Sequence, residues 1–130
     1  MIVLDASAAI ELLLRTSTGS RVEARVFAPG VSLHAPHLID VEVAQVLRRY
    51  VAAGAIAPSR GNDALQDLRD ISLIRYPHDV LLERIWQLRG NLTAYDAAYV
   101  ALAEALDAPL LTCDRKLKSP ASHRARVEVI

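Results

Sequence analysis

Five acidic side chains stand where chemistry could be built on them. Asp5 directly follows the apolar run Ile2-Val3-Leu4, and Asp114 follows Leu110-Leu111-Thr112-Cys113. Asp96 lies near the start of a stretch, residues 94–106, whose other members are Ala, Leu, Val and Tyr apart from Glu104. Asp40 and Glu42 flank the apolar stripe of a helical pattern at 38–53, one on each border. Carboxylates gathered in one place repel and raise one another's pKa unless positive charge neutralises them. A divalent cation is the simplest source of that charge, and an all-oxygen donor set selects the hard ions Mg²⁺ or Mn²⁺, where zinc would want His or Cys. Magnesium keeps water in its shell, and a water so held is a nucleophile suited to phosphodiesters. Each acid also has a plainer reading. Asp5 can cap the helix that begins at Ala6, and Asp114 a turn that begins at Arg115. Thr93 and Asp96 have the spacing of a capping box. Asp40 and Glu42 both sit near a helix N-terminus, where the dipole favours acids, and periodicity does not choose between them.

Parallel strands joined through helices would bring distant acids to one edge. Residues 2–4 read as a strand and 6–15 as a helix, broken at Thr16 to Gly19. A helix over 20–28 ends at Pro29-Gly30, a strand at 32–35 ends at Pro36, and the helix over 38–53 stops at Gly54. Further helices fit 59–70, 79–88 and 94–106, with strands at 71–76, 109–112 and 127–130. Helices separate nearly every pair of strands, so the reading is an α/β domain with a central, mostly parallel sheet covered on both faces. Ligands of such sheets collect beyond the carboxyl ends of the strands. Asp5 and Asp114 would then share that edge.

The chain has 130 residues, 52% of them hydrophobic and 23% charged, which excludes a disordered protein and predicts one domain over 1–130. No run approaches the ~18–20 apolar residues of a membrane span, and the amino terminus lacks the basic start of a secretory signal, so a cytoplasmic protein is expected. Fifteen cationic side chains balance fifteen anionic ones, which argues against coating nucleic acid by bulk charge. Local basic groups remain as phosphate contacts: Arg48 and Arg49, then Arg115, Lys116, Lys118, His123, Arg124 and Arg126 with no acid among them. Cys113 is the single cysteine, without a disulfide partner and read as a small buried apolar residue. His34, His37, His78 and His123 are scattered, which disfavours a histidine-pair mechanism.

Four segments, VLDASAAIELLL, DVEVAQVLRR, LTAYDAAYVALAEAL and LLTCDRKL, follow one another at spacings that span nearly the whole chain. With them the sequence resembles the PIN-domain ribonucleases, and especially the VapC-type toxins of bacterial toxin–antitoxin pairs. The resemblance implies a PIN-like three-layer fold with sheet order 3-2-1-4-5. It maps Asp5, Glu42, Asp96 and Asp114 onto an acidic quartet that holds Mg²⁺ or Mn²⁺, choosing Glu42 over Asp40. It also implies cleavage of single-stranded or loop RNA, a small VapB-type antitoxin that blocks the site, and a homodimer or larger toxin–antitoxin complex. Ser7, Thr93 and Thr112 match hydroxyl positions beside the ligands, and Arg115 and Lys116 would contact RNA. Departure of the 3′ oxygen would leave 5′-phosphate and 3′-hydroxyl ends. The helices at 20–28 and 38–53 offer apolar residues to a partner helix. Two rival readings are a catalytically silent PIN-like module that binds RNA or protein, and a phospho-acceptor or phosphatase using Asp5 as nucleophile. Ser7 speaks against the latter, since one such class has a second acid at that position.

Overall fold

Ile2, Val3 and Leu4 are all buried, so the first strand, β1 (Ile2–Leu4), is apolar throughout instead of alternating. A computed structural model of the chain describes residues 1–118 and 122–130. β2 (Leu33–Pro36), β3 (Leu73–Tyr76), β4 (Leu110–Thr112) and β5 (Val127–Val129) complete a sheet of order β3-β2-β1-β4-β5. Every pairing is parallel. β2 and β4, which flank β1, are buried along their length, while the edge strands β3 and β5 are half-exposed. Both the fold and the strand order expected from the sequence are present.

Among the described residues six helices flank this sheet: α1 (Ala6–Leu13), α2 (Ser17–Val26), α3 (Leu38–Ala52), α4 (Pro58–Asp70), α5 (Leu82–Gln87) and α6 (Ala94–Leu106). α6 packs against β1, β2 and β4 and buries every residue from Ala97 to Ala103. Small alanines on several sides let it lie close to the strands. Among the described residues, no helix is long and apolar enough to cross a membrane.

Three boundaries differ from expectation for physical reasons. α2 begins at Ser17, not near residue 20, because the Thr16 side chain accepts a hydrogen bond from the Gly19 amide and starts the helix early. Gly19 is therefore not a breaker but a contact residue, pressed against the carbonyl of Glu11 in α1. Residues 79–88 divide into a 3-10 turn at Asp79–Leu81 and then α5. β3 starts at Leu73, since Ile71 serves as the extended residue that ends α4.

An ion pair joins α5 to α6. Glu104, whose side chain is 2% exposed, accepts from Arg84 at 2.7 and 3.0 Å and from the Arg124 amide at 3.0 Å. Its carboxyl is held below the ordinary range, mainly by the Arg84 bond. Such an acid stabilises the fold above the pKa it has when unfolded, and that contribution fades as pH falls through its folded value. Arg84→Met leaves the carboxylate buried without its partner. The expected cost is about 3 kcal/mol at pH 7, shrinking in acid, as measured by urea unfolding across pH.

Candidate active site

The chain passes from β1 to β2 on one side, while β4 lies on the other, so a crevice opens beyond the carboxyl ends of β1 and β4. Asp5 leaves β1 into this crevice, its amide bonded to the Leu111 carbonyl of β4 at 3.0 Å. It occupies the N-cap position of α1, yet its side chain makes no cap bond. Asp5 Oδ2 instead accepts from Ser7 Oγ at 2.6 Å and from Thr112 Oγ1 at 2.7 Å. Those bonds compensate a carboxylate that is only 6% exposed. The same two hydroxyls accept the amides of Cys113 and Asp114, each at 2.9 Å, which fastens the end of β1 to the end of β4. Asp114 does cap the turn after it, its Oδ1 accepting from the Lys116 amide at 3.0 Å. Lys116 Nζ stands 4.0 Å from Oδ2.

The other two acids arrive on helices. Glu42, in the second turn of α3, accepts at Oε1 from the hydroxyl of Tyr99 at 2.5 Å. Asp96 is in the first turn of α6, where Thr93 caps the helix by accepting from the Asp96 amide at 3.1 Å. The Thr93 oxygen accepts in the cap, and its own proton stays available to the Asp96 carboxylate. Glu42 and Asp96 are both held above the ordinary carboxylate range. For Glu42 burial leads, the Tyr99 bond opposes it, and the charges of Asp5 and Asp96 add to it. For Asp96 burial again leads, the charges of Asp5 and Asp114 follow, and Lys116 and Thr93 offset part of the shift. Asp40, which periodicity could not separate from Glu42, is paired instead with Arg75 of β3 through two bonds of 2.8 and 2.9 Å.

All four acids line one open cleft of about 580 Å³, with Ser7, Cys113 and Glu11 beside them and Gln45, Arg49, Tyr50 and Tyr95 around them. Among the described residues, no three His, Cys, Asp or Glu side chains form a closed metal-ligand group. The acids ring the cleft instead of meeting at a point, as mutual repulsion favours. The donor chemistry nevertheless fits a hard cation. The set is all oxygen, Asp5 is oriented by hydroxyls, and Glu42 and Asp96 are held upward first by burial and then by the charges of the neighbouring acids, which a cation would offset. A larger hollow of about 760 Å³, lined by α1, α2 and the end of α4, lies away from this crevice, and its Arg15 and Asp67 face each other at 3.9 Å.

Several sequence expectations change here. Cys113 is half-buried and lines the cleft, so it is not an inert core residue; burial leads in pushing its thiol upward. Arg115 and Lys116 are both exposed and absent from the cleft lining, whereas Arg49 is part of it. Arg126 bonds the Asp107 carbonyl at 2.7 Å, so the basic run after Asp114 does not gather as one strip, and residues 119–121 within it lie outside the described residues. His37 and His78, distant in sequence, have ring centroids 6.1 Å apart, but His78 Nε2 accepts the Leu38 amide at the start of α3 and neither lines the cleft. Tyr99 was not singled out by the sequence. The available signal was a phenol inside an otherwise apolar buried helix, since a buried hydroxyl needs a partner.

The PIN domain family model matches residues 2–122. Ribonuclease VapC9 of Mycobacterium tuberculosis is 43% identical over 130 residues, covering 100% of this chain and 98% of the relative. Among solved structures, PAE2754 from Pyrobaculum aerophilum superposes with a TM-score of 0.73 at 23% identity, covering 97% of this chain and 81% of the other. VapBC2 from Rickettsia felis, bound to a DNA fragment from its promoter, gives 0.70 at 14% identity and 98% of each chain. Those two likenesses concern the fold.

Proposed function

The chain belongs to the PIN domain family and its VapC ribonuclease branch, and from this premise we propose that it is the toxin of a VapBC-type pair, an endoribonuclease whose cleft hydrolyses RNA with the help of Mg²⁺ or Mn²⁺. The observation that carries the reading is the placing of four carboxylates, from β1's end, α3, α6 and β4's end, around one cleft. A VapB-type antitoxin is its partner, by analogy with the relatives named VapC and the neighbour solved as VapBC2. The reading further includes self-association and action in the cytoplasm.

Asp5 and Asp96 are the principal cation ligands in this reading, with Glu42 and Asp114 joining directly or through water. When bound, the cation supplies Lewis-acid polarisation of a phosphoryl oxygen and acidifies an attacking water. The protein's own part is to hold and aim. Ser7 and Thr112 fix the orientation of Asp5, and Thr93 fixes the first turn that carries Asp96. Lys116, 86% exposed at its side chain beside Asp114, is free to reach a phosphate, and Arg49 lines the cleft from α3. Departure of the 3′ oxygen needs no 2′-hydroxyl attack and leaves a 5′-phosphate.

The test is cleavage of RNA by the purified chain, with the new ends mapped. Expected are 5′-phosphate and 3′-hydroxyl ends, loss of cleavage in excess EDTA, and recovery when Mg²⁺ or Mn²⁺ is restored. Cleavage that persists in EDTA, or ends bearing a 2′,3′-cyclic phosphate, would refute the metal-assisted reading. RNA binding without any product would instead favour the silent binding module, a reading that the complete acidic quartet opposes.

A further inference from the structure

Asp5 and Glu42 each have one oxygen already engaged by side-chain hydroxyls. Asp5 Oδ2 accepts two hydroxyl protons, from Ser7 at 2.6 Å and Thr112 at 2.7 Å, which fills both of its lone-pair directions. Glu42 Oε1 accepts from Tyr99 at 2.5 Å. Among the described residues, no hydrogen bond reaches Asp5 Oδ1 or Glu42 Oε2.

The donors have little freedom to turn away. The Ser7 and Thr112 oxygens accept the Cys113 and Asp114 amides and stand 3.1 Å apart, so the acceptors within reach of their protons are Asp5 Oδ2 and the neighbouring hydroxyl. Tyr99 is fully buried in α6, three residues after Asp96, and Glu42 is its hydrogen-bond partner across the gap to α3. Rotating that hydroxyl elsewhere would leave a buried phenol unpaired, which costs about 1–3 kcal/mol.

Divalent cations differ in what they ask of a carboxylate. Ca²⁺ collects about six to eight oxygens and often grips a carboxylate by both, whereas Mg²⁺ takes about six in a tight octahedron and keeps several waters. On the reading of the cleft as a divalent-cation site, we propose that Ser7, Thr112 and Tyr99 act as cation-selecting positioning residues. They fill both lone-pair directions of Asp5 Oδ2 and one of Glu42 Oε1, which leaves Asp5 a single oxygen to offer and weakens Oε1 of Glu42 as a second one, an arrangement that suits Mg²⁺ or Mn²⁺ and penalises Ca²⁺. A two-oxygen grip on Asp5 has to break a hydroxyl bond first, and one on Glu42 has to share Oε1 with the Tyr99 proton.

The experiment measures Mn²⁺ binding to the full chain by electron paramagnetic resonance, without RNA, with Mg²⁺ and Ca²⁺ as competitors. In wild type, Ca²⁺ should displace Mn²⁺ less effectively than Mg²⁺. In Tyr99→Phe the freed Oε1 should shift the Ca²⁺-to-Mg²⁺ competition ratio about tenfold toward Ca²⁺, the scale on which partners of metal ligands act. Ser7→Ala should shift it in the same direction through Asp5, and it carries the test if Tyr99→Phe fails to fold. A ratio equal to wild type in the folded variants overturns the inference, whether both affinities fall together or neither changes. Absence of Mn²⁺ binding in wild type would be a different result, removing the cation reading itself and this inference with it.

Discussion

Asp5→Asn and Asp96→Asn should each lower Mg²⁺-dependent RNA cleavage by about 10²–10³-fold or more, the scale on which loss of one transition-state electrostatic contact is felt. Each substitution keeps the volume of the side chain and removes a charge from a cleft that four elements converge to build. The two should differ in stability. Asp96 is held above the ordinary carboxylate range by burial and by Asp5 and Asp114, so its ionised form opposes folding near neutral pH. Without added metal, Asp96→Asn is therefore expected to melt at or above the wild-type temperature while losing activity. The Asp5 carboxylate accepts hydrogen bonds from Ser7 and Thr112 that an amide oxygen accepts less strongly, and its replacement should leave the melting temperature level or slightly lower. Asp40→Asn is the matched control. It loses part of the Arg75 pair and should cost stability while retaining cleavage, because Asp40 faces β3 and not the cleft. Unchanged cleavage in both Asp5→Asn and Asp96→Asn would remove the acid quartet from the mechanism.

The second large effect lies far from the chemistry. A Cβ added at Gly19 would stand 2.0 Å from the backbone oxygen of Glu11 and 2.8 Å from its carbonyl carbon. Neither atom can swing aside as a side chain would. α2 would have to lift from α1, reopening the seam closed by Val22 and Val26 of α2 and Leu12 and Leu13 of α1. Overpacking against mobile side chains costs about 1–3 kcal/mol; against backbone, Gly19→Ala is expected to exceed about 4 kcal/mol, which for many domains of this size removes much of the total stability. Thermal melting by circular dichroism checks it. A drop of only a few degrees would mean that the two helices separate more easily than their contact implies. Alanine has the higher helix propensity, by about 1 kcal/mol in a helix interior, so propensity predicts a gain and packing predicts a large loss.

What the sequence by itself determined was the order of elements and the edge at which the chemistry gathers. Continuous apolar runs such as Ile2–Leu4 and Leu110–Thr112 mark buried parallel strands, and helical periods between strands require crossovers. The acids that follow β1 and β4 then fall on one rim whatever the packing details. Spacing has no comparable hold on side-chain direction. Asp40 and Glu42 border the same helical stripe, and only the approach of β3 with Arg75 drew one outward, while Tyr99 from α6 fixed the other at the cleft. Gly19 likewise reads as a helix breaker along the chain and as a contact only once α1 is beside it. Tertiary structure brought the Thr112 hydroxyl to Asp5 as well, because the two are 107 residues apart and nothing local links them. Periodicity is a property of neighbours in sequence. Charge pairing, close backbone approach and the masking of single carboxylate oxygens are properties of neighbours in space, and they appear only when the sheet has brought its two halves together.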